Sequence, residues 1–489
     1  MVQLLTTKLH IPALQSDLVP RPRLTQKLME GMGKRLTLIS APAGFGKTTM
    51  LGEWHASPQG NSIPLAWLSL EREENQPVRF LAYLIAAIDS IQAGLVQEAG
   101  FLLNSNQPVD CAAVLTALLD EIYTYPRPFA LVLDDYHNLT SETIHRAVEF
   151  LINHLPPNMH LIIVSRMDPP LPLARWRVRD ELVEIRTDDL RFTHEECIAY
   201  LDHNLVTALS GEAITTLETR TEGWITGLKL AALSLRNDHH TDLPDFISQL
   251  NGTHRLIADY LIEEVLNSQP EEMRLFLLQT SVLTCLCGSL CNAVTGRHDG
   301  QAMLEQLERE NLFIVQIDEQ RTWYRYHHLF ADLLRQKLEQ LFPGQTNELR
   351  QRTAGWFLAN DYQECAIEEA IDVQAFDLAA GWIAQLRTTL IDSGQRETII
   401  HWIETIPAST LAAYPELARL HASTVLSPLT QREQDVLRRI AAGATNREIA
   451  ETLVVSLGTV KKHMNNIFAK LCVRSRTQAL VRARELGLL

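Results

Sequence analysis

The sequence predicts a multidomain chain, α/β in its first part and all-α beyond it, that ends in a helix-turn-helix bundle. Three observations predict this. Short apolar runs alternate with helix-spaced patterns up to Phe192, which is the pattern of a parallel sheet covered on both faces. From Thr193 onward the apolar residues recur three and four positions apart, with one small ribbon as the exception. Residues 426–489 hold 11 Lys and Arg against 5 Asp and Glu, a net of +6 in a chain whose total is −15. Charge spread so unevenly marks a small nucleic-acid-binding module attached to an acidic body.

At 489 residues the chain is too long for one core, so several domains are expected. Its 46% hydrophobic and 21% charged content is that of a globular protein. No apolar run approaches the ~20 residues that span a bilayer, and residues 1–14 lack the basic flank and apolar core of a signal peptide. Seven cysteines are too few for a disulfide scaffold of this length, which points to a reducing, cytoplasmic home.

Taken in order, the expected strands are 36–40, 65–70, 129–133 and 160–165, with helices at 49–54 and 80–91 between them. Beyond the sheet, 195–201, 211–235 and 256–266 read as helices. Residues 271–341 read as a compact helical unit with a ribbon formed by 312–315 and 323–326. From Asn347 to Ala422 the chain holds helical pairs rich in Ala, Leu and Trp, of which 364–370 and 376–382 look like members of a repeat stack. Cys285, Cys287 and Cys291 lie in the apolar, helix-spaced segment 280–296. With no second cysteine pair and no spaced histidine, they are expected to be buried structural residues.

The segment Ala41-Pro42-Ala43-Gly44-Phe45-Gly46-Lys47-Thr48 stands between the first strand and the helix after it, the context a phosphate-binding loop requires. Its glycines let backbone N–H groups approach phosphate oxygens, and the helix N-terminus adds partial positive charge. Lys47 is placed to reach the β- and γ-phosphates and Thr48 to ligate Mg²⁺; Ala41 stands where Gly is the common residue. Leu131-Val132-Leu133-Asp134-Asp135 puts two carboxylates at a strand's C-terminal edge, where such sheets bind ligands. Asp134 is the candidate Mg²⁺ ligand and Asp135 the candidate for orienting or deprotonating a water. Arg166, directly after the fourth strand, is placed to sense a γ-phosphate. Singly, an acid pair is usually a solvated strand end and an arginine a surface charge; their convergence on one sheet edge favours a site.

Near the C-terminus, 446–453 reads as a first helix, 454–458 as a turn, and 459–471 as a recognition helix with Val460, Met464, Ile467 and Leu471 on its core face. Lys461, Lys462 and Asn465 share another face, and such side chains suit the major groove. An ordinary solvated face is the alternative, which the net charge and the turn chemistry disfavour.

These residues resemble known families. Residues 429–489 resemble the LuxR-type DNA-binding domain through Leu429-Thr430-Gln431-Arg432-Glu433, Asn446-Arg447-Glu448-Ile449-Ala450 and Gly458-Thr459-Val460-Lys461-Lys462-His463. The body resembles the large ATP-binding regulators related to MalT, of the STAND class of signalling NTPases. That likeness rests on Leu18-Val19-Pro20-Arg21-Pro22-Arg23, the phosphate loop with Thr49, residues 131–137, Ser165-Arg166, residues 189–193, Glu222-Gly223-Trp224 and residues 324–330. It implies an N-terminal arm (1–24), a P-loop NTPase domain (25–192), a helical domain (193–268), a winged helix (269–342), a short helical-repeat segment (343–425) and a helix-turn-helix domain (426–489).

By the same resemblance, ADP holds a closed monomer, and ATP with a small-molecule inducer opens it to self-associate, bind double-stranded promoter DNA and act with RNA polymerase. Any ATP hydrolysis would be slow and serve the switch. Val19 and Arg21 would join Gly44, Phe45, Gly46, Lys47, Thr48 and Thr49 around the nucleotide. His327 would be the winged-helix histidine that touches the ADP phosphate, or else a core residue. Arg177 would act across an oligomer interface, and Thr459 and His463 would join the lysines and Asn465 on DNA. One departure stands out: relatives carry a sensor of several hundred residues where this chain has about 75 residues that match its beginning. A nucleotide-gated transcription regulator is therefore expected. A constitutive or vestigial DNA binder and a true ATPase motor are the alternatives.

Overall fold

The computed structural model describes residues 4–13, 18–104, 110–205, 209–237, 251–392, 396–417, 420, 431–441, 444–453, 457–470 and 476–485. The chain forms two compact units, 1–346 and 347–489.

The first unit is built on a five-stranded parallel sheet of strands β1 (Leu36–Ser40), β2 (Leu65–Ser69), β3 (Phe129–Asp134), β4 (Met159–Ser165) and β5 (Leu182–Ile185), in the order β2-β3-β4-β1-β5. Every residue of β1, β3 and β4 is buried, which is why these strands are legible as nearly continuous apolar runs. The expectation of four strands missed β5. It is an edge strand of four residues whose middle pair, Val183 and Glu184, is only half buried, so it shows no apolar run. Helices cover the sheet, Pro77–Asp89 and Cys111–Tyr123 among them, and their apolar faces pack on β-strand side chains in one cluster that includes Phe80, Leu84, Leu118, Leu131 and Leu161.

A helical stretch follows, in helices His194–Asn204, Gly211–Thr221, Ile225–Asn237 and Arg255–Leu261. The first is started by a reciprocal cap: Glu196 N–H donates to Thr193 Oγ1 at 3.2 Å, and Thr193 N–H donates to the Glu196 carboxylate at 3.1 Å. The single helix expected over 211–235 is broken, because Glu222 and Gly223 take left-handed φ of 49° and 70°. A π-helical turn, Ile262–Leu266, leads into helices Glu271–Thr280, Gly288–Thr295, Gly300–Arg309 and His328–Leu341. Between the last two lies the antiparallel pair β6 (Ile314–Gln316) and β7 (Tyr324–Tyr326). The ribbon starts later than expected because Asn311 and Phe313 have φ of 50°, which turns the chain before β6. Segment 280–296 is helical only over Gly288–Thr295; before it Leu286 bridges Tyr324. Cys287 and Cys291 are buried there, whereas Cys285, expected to be buried too, is only half buried; burial pushes the Cys291 thiol well up.

In the second unit, helices Gln363–Asp372, Phe376–Asp392 and Arg396–Thr405 pack around Ile367, Ala380, Ile383, Ile399 and Trp402. A separate cluster of Val436, Leu437, Ile440, Ile449, Val460, Ile467, Ala479 and Ala483 holds together helices Gln431–Ala441, Asn446–Leu453, Leu457–Lys470 and Arg476–Glu485. Among the described residues no helix is long and apolar enough to cross a membrane.

Candidate functional site

β1, β3 and β4 all end at the same edge of the sheet, which brings the phosphate loop, Asp134 and Arg166 together. The loop turns through Gly44 and Gly46, with φ of 79° and 73°, into helix Lys47–Ala56. A Cβ on Gly44 would stand 2.6 Å from Thr226 Oγ1 and 2.7 Å from Trp224 Nε1, so the close approach admits only glycine. Lys47 is folded across its own loop, its Nζ donating to the carbonyls of Ala41 and Pro42 at 2.7 and 2.8 Å. Burial, and then the charge of Arg166, lower its pKa to about 8. Thr48 Oγ1 donates to the Asp134 carboxylate at 3.0 and 3.3 Å, so the hydroxyl and the acid expected to share a cation already touch. Burial, and then Asp135, push Asp134 up to about 7. Asp135 is raised as well, first by its own burial. A buried carboxylate beside a hydroxyl offers the hard oxygen donors that Mg²⁺ takes, and a cation there would relieve the desolvation of Asp134. The residues present thus fit the ion.

A cavity of about 310 Å³ opens beside the loop. Gly44, Gly46, Thr48, Thr49, Thr226, Glu53 and Lys229 form its polar side, and Leu18, Val19, Met50, Phe192 and Ile225 its apolar walls. Apolar walls with a few convergent polar groups are what a small-molecule pocket needs. Val19 and Arg21 stand in its wall, where the resemblance puts them. The Arg21 guanidinium, however, points into protein. It donates to the carbonyls of Leu190 and, at 3.2 Å, of Arg191, and burial lowers its pKa to about 10. Arg23 pairs with Glu196 at 2.9 Å and donates to Arg191 O at 2.7 Å. The arginines of 18–23 therefore fasten the arm to segment 189–196, and this explains two of the quoted motifs as halves of one contact.

A second cavity, of about 290 Å³, lies where Pro42, Asp135, His137 and Arg166 meet Glu264 and Asn311. Arg166 reaches its wall, but its Nη2 is paired with Glu264 Oε2 at 2.9 Å. Asn311 Nδ2 donates to Arg166 O at 3.0 Å and to Ser40 Oγ at 3.1 Å. His137 is pushed down to about 3 by burial and by the nearby Arg166 and Lys47, and so stays neutral.

Lys47 and Asp134, held by the contacts above, line neither cavity, and neither do Phe45, His327 and Arg177. Phe45 is buried with its ring 6.3 Å from that of Phe313, an apolar anchor for the loop. His327 is fully buried, its Nε2 2.9 Å from Thr221 O, and its ring packs edge-on against Trp224 and Phe313. It thus sits one aromatic layer behind the loop, and burial lowers its pKa to about 4. Arg177 is half exposed and binds Glu184 through two contacts of 2.7 and 2.9 Å. Thr226, Glu264 and Asn311 stand in no sequence motif, and Trp224 stands in one with no local sign of its contacts. Their contacts with the loop and Arg166 join residues about a hundred or more positions apart, which no local pattern records.

In the second unit, helix Asn446–Leu453 begins with Thr445, whose N–H donates to the Glu448 carboxylate at 2.6 Å. Helix Leu457–Lys470 buries Val460 and Ile467 and keeps Lys462 exposed, with Thr459 and His463 half buried. The side chains of Lys461 and Asn465, the turn residues 454–456 and Leu471 lie outside the described residues. Among the described residues the one group of three converging potential metal ligands is Glu71, Glu73 and Glu74, and Glu74 is already held by Lys8 and Arg79 at 2.8 and 3.0 Å.

Residues 262–346 match the MalT winged helix domain, and residues 427–483 match the domain of bacterial regulatory proteins of the luxR family. The HTH-type transcriptional regulator MalT of Serratia proteamaculans is 35% identical over 421 residues, which cover 86% of this chain and 46% of that one. MalT of Yersinia pestis is 36% identical over 428 residues with the same coverage. The chain therefore spans about half the length of the curated relatives it matches. Among solved structures, a Signal Transduction ATPase with Numerous Domains that carries a tetratricopeptide repeat sensor, from Pyrococcus horikoshii, covers 98% of this chain and 72% of its own at 14% identity. The TM-score of that pair is 0.35. Taken with the loop and the sheet, these matches identify a MalT-like chain, with a MalT-type winged helix followed by a luxR-family helix-turn-helix.

Proposed function

We propose that this chain is an ATP-dependent, DNA-binding transcription regulator in which ADP/ATP exchange controls self-association and promoter binding. The observation that carries the reading is the Thr48–Asp134 pair at a glycine loop beside a 310 Å³ cavity, in the same chain as a luxR-family match over 427–483. Lys47 and the loop amides hold the β- and γ-phosphates once Lys47 leaves its contacts with Ala41 and Pro42. Thr48 and Asp134 hold Mg²⁺, which offsets phosphate charge. Val19 and the apolar wall take the adenosine, with Arg21 fixing that wall. Asp135 orients a water, and Arg166 turns from Glu264 to a γ-phosphate. His327 acts on the bound phosphate through the aromatic layer it supports. Arg177 serves an oligomer contact. Thr459, Lys461, Lys462, His463 and Asn465 face double-stranded promoter DNA, with RNA polymerase as the expected partner in the cytoplasm.

The test is sequencing of genomic DNA fragments retained by the full chain with ATP-Mg²⁺ and with ADP-Mg²⁺. Enrichment of a short, partly palindromic site with ATP alone supports the switch, and the Lys47→Ala variant should lose that difference. A second reading, a DNA binder without inducer control, is favoured by the 80 residues that separate the winged-helix and helix-turn-helix matches. It predicts equal enrichment with both nucleotides.

A further inference from the structure

The contacts of the tripeptide Glu222-Gly223-Trp224 run from the phosphate loop to the winged helix. The left-handed break at Glu222 and Gly223 ends one helix and starts Ile225–Asn237 against the loop. Trp224 Nε1 donates to Ala43 O at 3.1 Å. Thr226 donates twice to Gly44 O, from its Oγ1 at 2.9 Å and from its backbone N–H at 3.1 Å. A phosphate loop binds anions through N–H groups, and a planar trans peptide points its C=O and the following N–H in opposite directions. Holding the carbonyls of Ala43 and Gly44 toward Trp224 and Thr226 therefore turns the N–H groups of Gly44 and Phe45 away from those two residues.

The far end of the same segment is held by the winged helix. The Glu222 carboxylate accepts from both Nη atoms of Arg325 at 2.8 Å and from His328 N–H at 3.1 Å. Phe192 N–H donates to Gly223 O at 2.9 Å, which ties the segment to the end of the sheet domain as well.

We propose that Trp224 and Thr226 are positioning residues that clamp the Ala43 and Gly44 carbonyls and so aim the loop amides at phosphate, and that the Glu222–Arg325 pair couples this clamp to the winged helix. The proposal rests on the nucleotide-binding reading and deepens it. Nucleotide affinity and winged-helix docking become linked quantities, each affecting the other by the same factor.

The test is dissociation of fluorescently labelled ADP and ATP, with Mg²⁺, from the full chain. Thr226→Val keeps the side-chain shape and removes one donor, and should speed dissociation of both nucleotides about threefold to tenfold, the worth of one hydrogen bond. Thr226→Ser restores the donor and should restore the rate. Arg325→Met, which touches neither the loop nor the 310 Å³ cavity, should speed it in the same direction. The nucleotide-free melting temperature of Thr226→Val should match wild type, which separates positioning from loss of fold. A wild-type rate in Thr226→Val, or no rescue by Thr226→Ser, overturns the clamp; a wild-type rate in Arg325→Met overturns the coupling. If the wild-type chain binds neither nucleotide, the proposed function falls, and amide hydrogen exchange at Gly44 and Phe45 still decides the clamp. Faster exchange in Thr226→Val than in Thr226→Ser supports it, and equal exchange overturns it.

Discussion

Glu222→Gln removes one charge and little volume at the junction of three segments. The Glu222 side chain is 7% exposed, accepts both Arg325 contacts at 2.8 Å, and has Arg191 Nη1 at 3.3 Å. Burial alone would raise its pKa; the hydrogen bonds from Arg325 and the neighbouring His327 and His328 hold it down at about 2. A carboxyl lowered from 4.5 to about 2 contributes roughly 3 kcal/mol at neutral pH, at about 1.4 kcal/mol per unit. Breaking a buried pair by removing one partner costs about 3–5 kcal/mol, and the 30% exposure of Arg325 and the amide's remaining hydrogen bonds reduce that. We expect Glu222→Gln to destabilise the first unit by about 2–3 kcal/mol at pH 7. The folded value lies below the ordinary one, so this stabilisation is fully present above pH 4.5 and is lost as pH falls toward 2. By pH 3.5 the wild type should have lost about 1.4 kcal/mol of it, and the gap between the two proteins should shrink accordingly. Urea unfolding followed by tryptophan fluorescence, to which the fully buried Trp54, Trp67, Trp176 and Trp224 of the first unit contribute, measures both values. A penalty below about 0.5 kcal/mol at pH 7, the worth of a surface pair, or a penalty unchanged at pH 3.5, would refute the reasoning.

Gly44→Ala places a Cβ 2.6 Å from Thr226 Oγ1 at a φ of 79° and should weaken nucleotide binding at least tenfold, measured by titration calorimetry; the same affinity as wild type would mean the loop opens on binding. Lys462→Ala removes an exposed cation from the recognition helix. It should weaken binding to all DNA sequences alike and lower the slope of log affinity against log salt by about 1. Leu437→Ala truncates a side chain that is 1% exposed at the centre of the helix-turn-helix cluster. A loss of about 2–5 kcal/mol is expected, enough to unfold that bundle, and loss of its helical signal and of DNA binding together would show it.

Sequence alone determined what depends on near neighbours. β1 to β4 are legible because each is buried on both faces, and Val460 and Ile467 are legible as core because seven residues are two turns of a helix. The loop, Asp134 and Arg166 could be assigned to one edge because parallel strands end together. The tertiary structure decided the rest. β5 is an edge strand, and its half-buried Val183 and Glu184 leave no period to read. The break at Glu222 uses a left-handed glutamate, a conformation the residue type does not announce and the packing must enforce. Arg166 carries the same charge whether it meets a phosphate or Glu264, and only the fold puts Glu264 within 2.9 Å. The hydrogen bond from Trp224 to Ala43 spans 181 residues. Periodicity is a property of neighbours along the chain, whereas such a bond exists only once distant segments of the first unit have packed.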